Sequence, residues 1–257
     1  MEYKRGGCLK SSLKAKGVLT EGDAKLVIYQ ILQALSNIHK KQIIHRDLTP
    51  ANILFDNKIY PSQKLNTKIS IADFGLSIHK QELEYSKIKC GTPGYMAPES
   101  IRLGIYSEKS DIFGVGCLIY RMITGQNLFS GINSMEILKK NMYCLDVPKI
   151  IQLKLSKFSE DFKDLVNRCL NLNINLRPSA EEALQHSWFT YSKQLLLSNL
   201  NKNGSFKVSK NQNNNLLMKK EGLYTYQNQK VLGLSEKFEL RKGNQGYSQN
   251  MEQLSNQ

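Results

Sequence analysis

His45-Arg46-Asp47-Leu48-Thr49-Pro50-Ala51-Asn52 is the stretch that decides how this chain is read. It follows the β-prone pair Ile43-Ile44 directly. Twenty-one residues beyond Asn52, after a second β-prone stretch, comes Asp73-Phe74-Gly75. Further on stands Gly91-Thr92-Pro93-Gly94-Tyr95-Met96-Ala97-Pro98-Glu99. A lone Asp-Phe-Gly carries no information. Three motifs in this order, each in its expected local context, form a specific set. Reading His45, Asp47 and Asp73 as ordinary turn residues does not account for the set.

Around these motifs the pattern is mostly helical. Thr20 with Asp23 resembles a capping box, with an acid in place of the usual Glu or Gln. Ala24, Val27, Ile28, Ile31, Leu35 and Ile38 then recur at helical spacing, and Lys40-Lys41 suit the negative end of that helix's dipole. Short β-rich pieces are expected at Ile43-Ile44, at Ile53-Leu54-Phe55 and over 68–71. Residues 111–124 are apolar nearly all round, which predicts a buried central helix. Two more helices are expected over 159–170 and 179–185, the second opened by a Ser179/Glu182 capping box.

The three motifs resemble the H-R-D-L-x-x-x-N, D-F-G and A-P-E segments of the eukaryotic protein kinase family, and the resemblance covers about residues 1–191. It implies an α+β, mainly helical fold: a kinase-like large C-terminal lobe with short β-hairpins, beginning at the hinge, with the small lobe absent. It implies a protein serine/threonine kinase that moves the γ-phosphoryl group of ATP, with Mg²⁺, to a protein hydroxyl. By resemblance, Asp47 accepts the proton of that hydroxyl, and Asn52 and Asp73 hold the magnesium, whose preference is for hard oxygens. Arg46 would receive a phosphate from the activation segment as a bidentate partner. Leu54 matches the apolar floor under adenine. Met1-Glu2-Tyr3 is similar to the hinge, so Glu2, Lys4 and Cys8 join Leu54 and Asp73 as nucleotide-binding positions. Glu99 and Arg177 match a buried ion pair, and Asp111 the anchor of the catalytic-loop backbone. His45 and Phe74 match two stacked members of the regulatory spine, and Trp188-Phe189 the closing helix.

The departures are as informative. No glycine-rich loop, strand lysine or helix glutamate stands ahead of the hinge-like residues, and Gly6-Gly7 reads as the turn after them. Thr49 occupies a position where serine/threonine kinases carry a lysine that contacts the γ-phosphate. Tyrosine kinases lack it too, but Thr92 and the segment 91–95 fit the serine/threonine class. Ala51 and Arg121 stand where kinases that prefer arginine in their substrates often carry Glu, so strongly basic peptides are not expected. In the activation segment, 73–99, Ser77, Tyr85, Ser86 and Thr92 bear hydroxyls. The usual phosphoacceptor position, two before Cys90, is Ile88. The insert 56–67 and the His186-Ser187-Trp188-Phe189 ending resemble calcium/calmodulin-type kinases, but the tail shows no basic amphipathic helix that would support calmodulin binding.

Composition bounds the rest. The 257 residues carry a formal net charge of +14. Without a compact Lys/Arg block or interleaved aromatics, this reads as a lysine-rich composition rather than a nucleic-acid surface. No run is long and apolar enough for a membrane span. The five scattered cysteines form no C-x-x-C pair and read as reduced thiols, in keeping with a cytoplasmic or nuclear setting. Residues 192–257 are rich in Asn, Gln and Lys and read as a mostly disordered tail. Its stretch 200–209 has a faint likeness to a calcium loop but offers no carboxylate. The competing reading is an inactive kinase lobe that binds a protein partner as scaffold or decoy. The groups that cradle ATP phosphates from the small-lobe side supply much of the charge complement that transfer needs. The 257 residues alone are therefore expected to transfer phosphate very slowly or not at all, and a radiolabelled-ATP assay on the purified chain measures this.

Overall fold

Thr20 opens the longest element of the fold. In a computed structural model, which describes residues 3–58, 65, 67–82, 88–144 and 146–189, the Thr20 side chain accepts a hydrogen bond from the Asp23 amide at 3.1 Å. Asp23 does not return the bond that a capping box requires. Its carboxylate turns instead to Lys16 Nζ and the Leu65 amide, each at 3.2 Å. Met1, Glu2, Tyr85, Ser86 and the whole stretch 192–257, including 200–209, lie outside the described residues.

Among the described residues twelve elements follow one another: α1 (Leu9–Lys16), α2 (Glu21–Lys40), β1 (Ile43–Ile44), β2 (Ile53–Phe55), β3 (Ile69–Ile71), β4 (Ile78–His79), α3 (Pro98–Leu103), α4 (Glu108–Thr124), α5 (Ser134–Tyr143), α6 (Val147–Lys154), α7 (Glu160–Cys169) and α8 (Ala180–Leu184). The fold is thus mainly helical with two short antiparallel ladders, one joining successive strands and the other joining the strands that flank them. β1 pairs antiparallel with β4, Ile44 opposite Ile78. β2 pairs antiparallel with β3, Ile53 opposite Ile71 and Phe55 opposite Ile69.

The core forms where α2 and α4 cross. Ala24, Val27, Ile28, Ile31 and Leu35 of α2 are buried at the expected spacing. In α4, thirteen of seventeen residues are buried, so this helix has almost no solvent face and others must wrap it. It starts three residues before the expected 111, because Ser107 and Ser110 cap it reciprocally. Gly116 lets α7 approach: a Cβ there would lie 2.7 Å from Leu170. Trp188 and Phe189 are buried and pack ring on ring at 4.9 Å, and the Trp188 indole N–H donates to Glu21 at 2.9 Å.

One buried ion pair joins α3 to the segment between α7 and α8. Arg177, with no exposed surface, grips Glu99 through two parallel bonds of 2.7 and 3.1 Å. Its remaining N–H groups donate to the carbonyls of Asn171 and Lys109, and the Ser110 hydroxyl donates to Glu99. Every charge is thus answered, the condition under which a buried pair is tolerated. Arg177→Met strands the Glu99 carboxylate and is expected to cost about 3–5 kcal/mol. Adding Glu99→Gln should recover part of that loss. Denaturant midpoints of the single and double variants test both statements.

Candidate active site

The loop 45–52 is held by a carboxylate beneath it. Asp111, in the first turn of α4, is buried and accepts from the backbone amides of His45 and Arg46, both at 2.9 Å. His39 at the end of α2 lies 2.8 Å from the same group. Arg46 takes φ +68°, a left-handed conformation unusual outside glycine. Such a residue persists where its surroundings over-determine it, and here two amide bonds to one carboxylate do so.

His45 is fully buried and both ring nitrogens are engaged. Nε2 lies 3.0 Å from the Ala72 carbonyl, which can only accept, so Nε2 carries the hydrogen. Nδ1 accepts from the Asp47 amide at 3.3 Å. The Phe74 ring meets it edge-on at 4.9 Å. His45 is therefore a packing and bridging residue, as the resemblance implies, and its contact with Phe74 is present as an edge-to-face pair.

Asp47 stands at the centre. Its Oδ1 accepts from both the Thr92 hydroxyl, at 2.6 Å, and the Thr92 amide, at 3.0 Å. Its Oδ2 accepts from the Asn52 carboxamide at 3.2 Å, and that same Nδ2 donates to the Asp47 carbonyl at 2.9 Å. Asn52 is thus fixed with its nitrogen toward Asp47 and its oxygen turned the other way. The β2–β3 register places Asp73 near it: the Ala72 amide donates to the Asn52 carbonyl at 2.8 Å, one residue before Asp73. Asp73 is exposed, with φ +62°, and its Oδ1 accepts from the Gly75 amide at 3.2 Å. Among the described residues no group of three or more His, Cys, Asp or Glu could hold a metal. Magnesium does not require one, since it keeps waters and takes one or two protein oxygens beside substrate phosphates. The Asn52 and Asp73 oxygens fit that donor set.

The nucleotide-side positions lie along one edge. The Gly6 amide donates to the Phe55 carbonyl at 3.0 Å, the Phe55 amide to Gly7 at 2.9 Å, and Cys8 bridges Leu54. The turn Gly6-Gly7 and Cys8 therefore run beside β2, and half-buried Leu54 belongs to that strand. Lys4 pairs with Asp56 at 2.8 Å. Cys8 begins α1; burial pushes its thiol up, but hydrogen bonds from the Ser11 hydroxyl and nearby amides outweigh this and lower it. Glu2 lies outside the described residues. Thr49 is buried, and its carbonyl accepts from the Asn52 amide at 3.0 Å, closing the turn.

Two residues that the motifs do not name shape the neighbourhood. The Tyr106 hydroxyl accepts from the Cys90 amide at 2.7 Å and donates to the Cys90 carbonyl at 2.6 Å. Burial raises its ionisation above the ordinary tyrosine range, which keeps the donating proton in place. The Arg46 guanidinium sits 5.2 Å from the Tyr106 ring, and its Nε donates to the Leu76 carbonyl. Asn141 on α5 is fully buried, its Oδ1 accepting from the Gly94 amide at 3.1 Å and its Nδ2 donating to the Met96 carbonyl at 2.9 Å. The sequence signal for it is a polar residue four positions after Ile137, on the apolar side of a short helix.

The sequence profile described as "Protein kinase domain" matches residues 1–189. Serine/threonine-protein kinase cds1 of Schizosaccharomyces pombe is 36% identical over 200 residues, covering 74% of this chain and 40% of that protein. Calcium-dependent protein kinase 4 of Plasmodium falciparum is 37% identical over 186 residues, covering 71% of this chain and 33% of that protein. The chain thus spans two fifths or less of the length of these curated relatives. Among solved structures, one titled as the Rad53 kinase domain and SCD2 in complex with AMPPNP matches with TM-score 0.58 and 32% identity, over 74% of this chain and 68% of that one. With its H-R-D-L-x-x-x-N, D-F-G and A-P-E motifs folded as described, the chain belongs to the protein kinase domain family.

Proposed function

We propose that residues 1–191 form the acceptor- and metal-handling part of a protein serine/threonine kinase that uses ATP and Mg²⁺. The observation that carries this reading is the Asp47 carboxylate, oriented by Thr92 through two bonds and by Asn52 through a third. A carboxylate so fixed can take the proton of an incoming hydroxyl as it attacks phosphorus, and phosphoryl transfer asks for little other covalent help. Asn52 and Asp73 would hold magnesium, which when bound neutralises charge on the phosphates. Leu54 would underlie the adenine, with the backbone near Lys4 and Cys8 along its edge. Thr49 removes one positive charge from the γ-phosphate region relative to lysine. The protein works on this reading in the cytoplasm or nucleus, with a protein as acceptor.

Ala51 is exposed and Arg121, half-buried at the end of α4, donates to the Gly125 carbonyl. Neither offers a carboxylate to a basic peptide. A binding lobe without catalysis is the competing reading, and it predicts no transfer even with Asp47 intact.

In the full-length gene product, Asp47→Asn is expected to lower kcat by about 10²–10⁴, the usual contribution of a positioned base, with ATP affinity kept. Phosphate incorporation into a degenerate serine/threonine peptide mixture, together with nucleotide binding, reads both. Resolved position by position, the same mixture should show no selection for upstream arginine. A profile dominated by arginine would refute the reading of Ala51 and Arg121.

A further inference from the structure

The loop 92–96 is tied at two ends, and the second tie lies outside the motifs. At its start, Thr92 donates twice to the Asp47 carboxylate. At its far end, the Asn141 carboxamide bridges the loop's own backbone, accepting from Gly94 and donating to Met96. The two partners fix the amide's orientation without ambiguity, because an N–H can only donate and a carbonyl can only accept. Within the loop, the Tyr95 amide closes back on the Thr92 carbonyl at 3.1 Å. Gly94 has φ +91°, and a Cβ added there would lie 3.4 Å from Ile137. Ile137 and Asn141 are one helical turn apart on α5 and so share a face. That face is what the loop rests on.

Thr92, at the start of this loop, occupies one oxygen of the Asp47 carboxylate, so the loop borders the group that would take the acceptor's proton. We propose that Asn141 is a positioning residue for the protein acceptor: it fixes the 92–96 backbone and so sets the register of the acceptor hydroxyl against Asp47. The inference rests on the kinase reading above. Asn141 touches neither acceptor nor nucleotide on this view, and acts through the loop.

Replacing it with Leu keeps the branching and heavy-atom count, in a bulkier side chain, but leaves the Gly94 N–H and the Met96 carbonyl buried without partners, which a folded loop avoids by shifting. Asn141→Asp keeps the bond from Gly94 and sets an oxygen against the Met96 carbonyl. The test uses the full-length gene product with ATP and a degenerate serine/threonine peptide mixture. Both variants should raise the peptide KM about tenfold or more, as expected when a buried polar group loses its partner. The ATP KM should stay within about twofold, because the loop has no part in nucleotide binding. Gly94 amide exchange should speed up in Asn141→Leu and change less in Asn141→Asp. Unchanged peptide KM in a variant that melts like wild type overturns the inference alone. No transfer by wild type overturns the kinase reading and this inference with it. If Asn141→Leu fails to fold, Asn141→Asp decides by the same criteria.

Discussion

The active-site loop depends on one buried carboxylate. Asp111 receives two backbone amides from the loop and faces His39 from α2. A carboxylate held away from water needs its lone pairs answered, and these three groups answer them. In return the loop backbone is locked, including an arginine in a conformation that it would not adopt alone. Everything nearer the chemistry is built on this: the Asp47 amide reaches His45, the Asn52 carboxamide reaches Asp47, and Thr92 completes the circle. α4 therefore does two jobs. Its middle forms the core and its first turn fixes the site.

The second organising constraint is the Glu99–Arg177 pair. It connects the end of the 91–99 motif to the segment between α7 and α8, far apart in sequence. Its bonds are all made inside the protein, and the Phe113 ring lies 5.1 Å from the guanidinium. The pair and Asp111 both meet the first turns of α4, through Ser110 and Lys109. The two halves of the site are thus referred to the same helix end.

Much of this was legible in the sequence, and the reasons are physical. α2 and α4 show in the pattern because long helices against a core must repeat apolar residues on a face or all round. β1, β2 and β3 show because they flank motifs of fixed spacing. The roles of His45, Phe74, Glu99, Arg177 and Asp111 came through resemblance, and the contacts observed agree with them. The short helices α7 and α8 show because Ser159 and Ser179 mark their starts, whereas α1, α3 and α6 have no side-chain cap, and α5, ten residues long, mixes polar with apolar side chains. Asp23 illustrates another limit: sequence placed it in a local capping box, but distant Leu65 and nearby Lys16 offered its carboxylate better partners. Tyr106 and Asn141 were missed because what they hold is backbone. A main-chain amide looks the same at every position of a sequence.

The left-handed backbones of Arg46 and Asp73 carry a consequence for the life of the protein. Both conformations are unfavourable for an isolated L-residue and exist because tertiary contacts impose them. Their strain is released whenever those contacts slacken. For Arg46 the imposing contact is the buried Asp111 carboxylate, and for Asp73 the turn its side chain closes with the Gly75 amide. The working geometry is thus an emergent property of the assembled helices, absent from any isolated stretch of the chain.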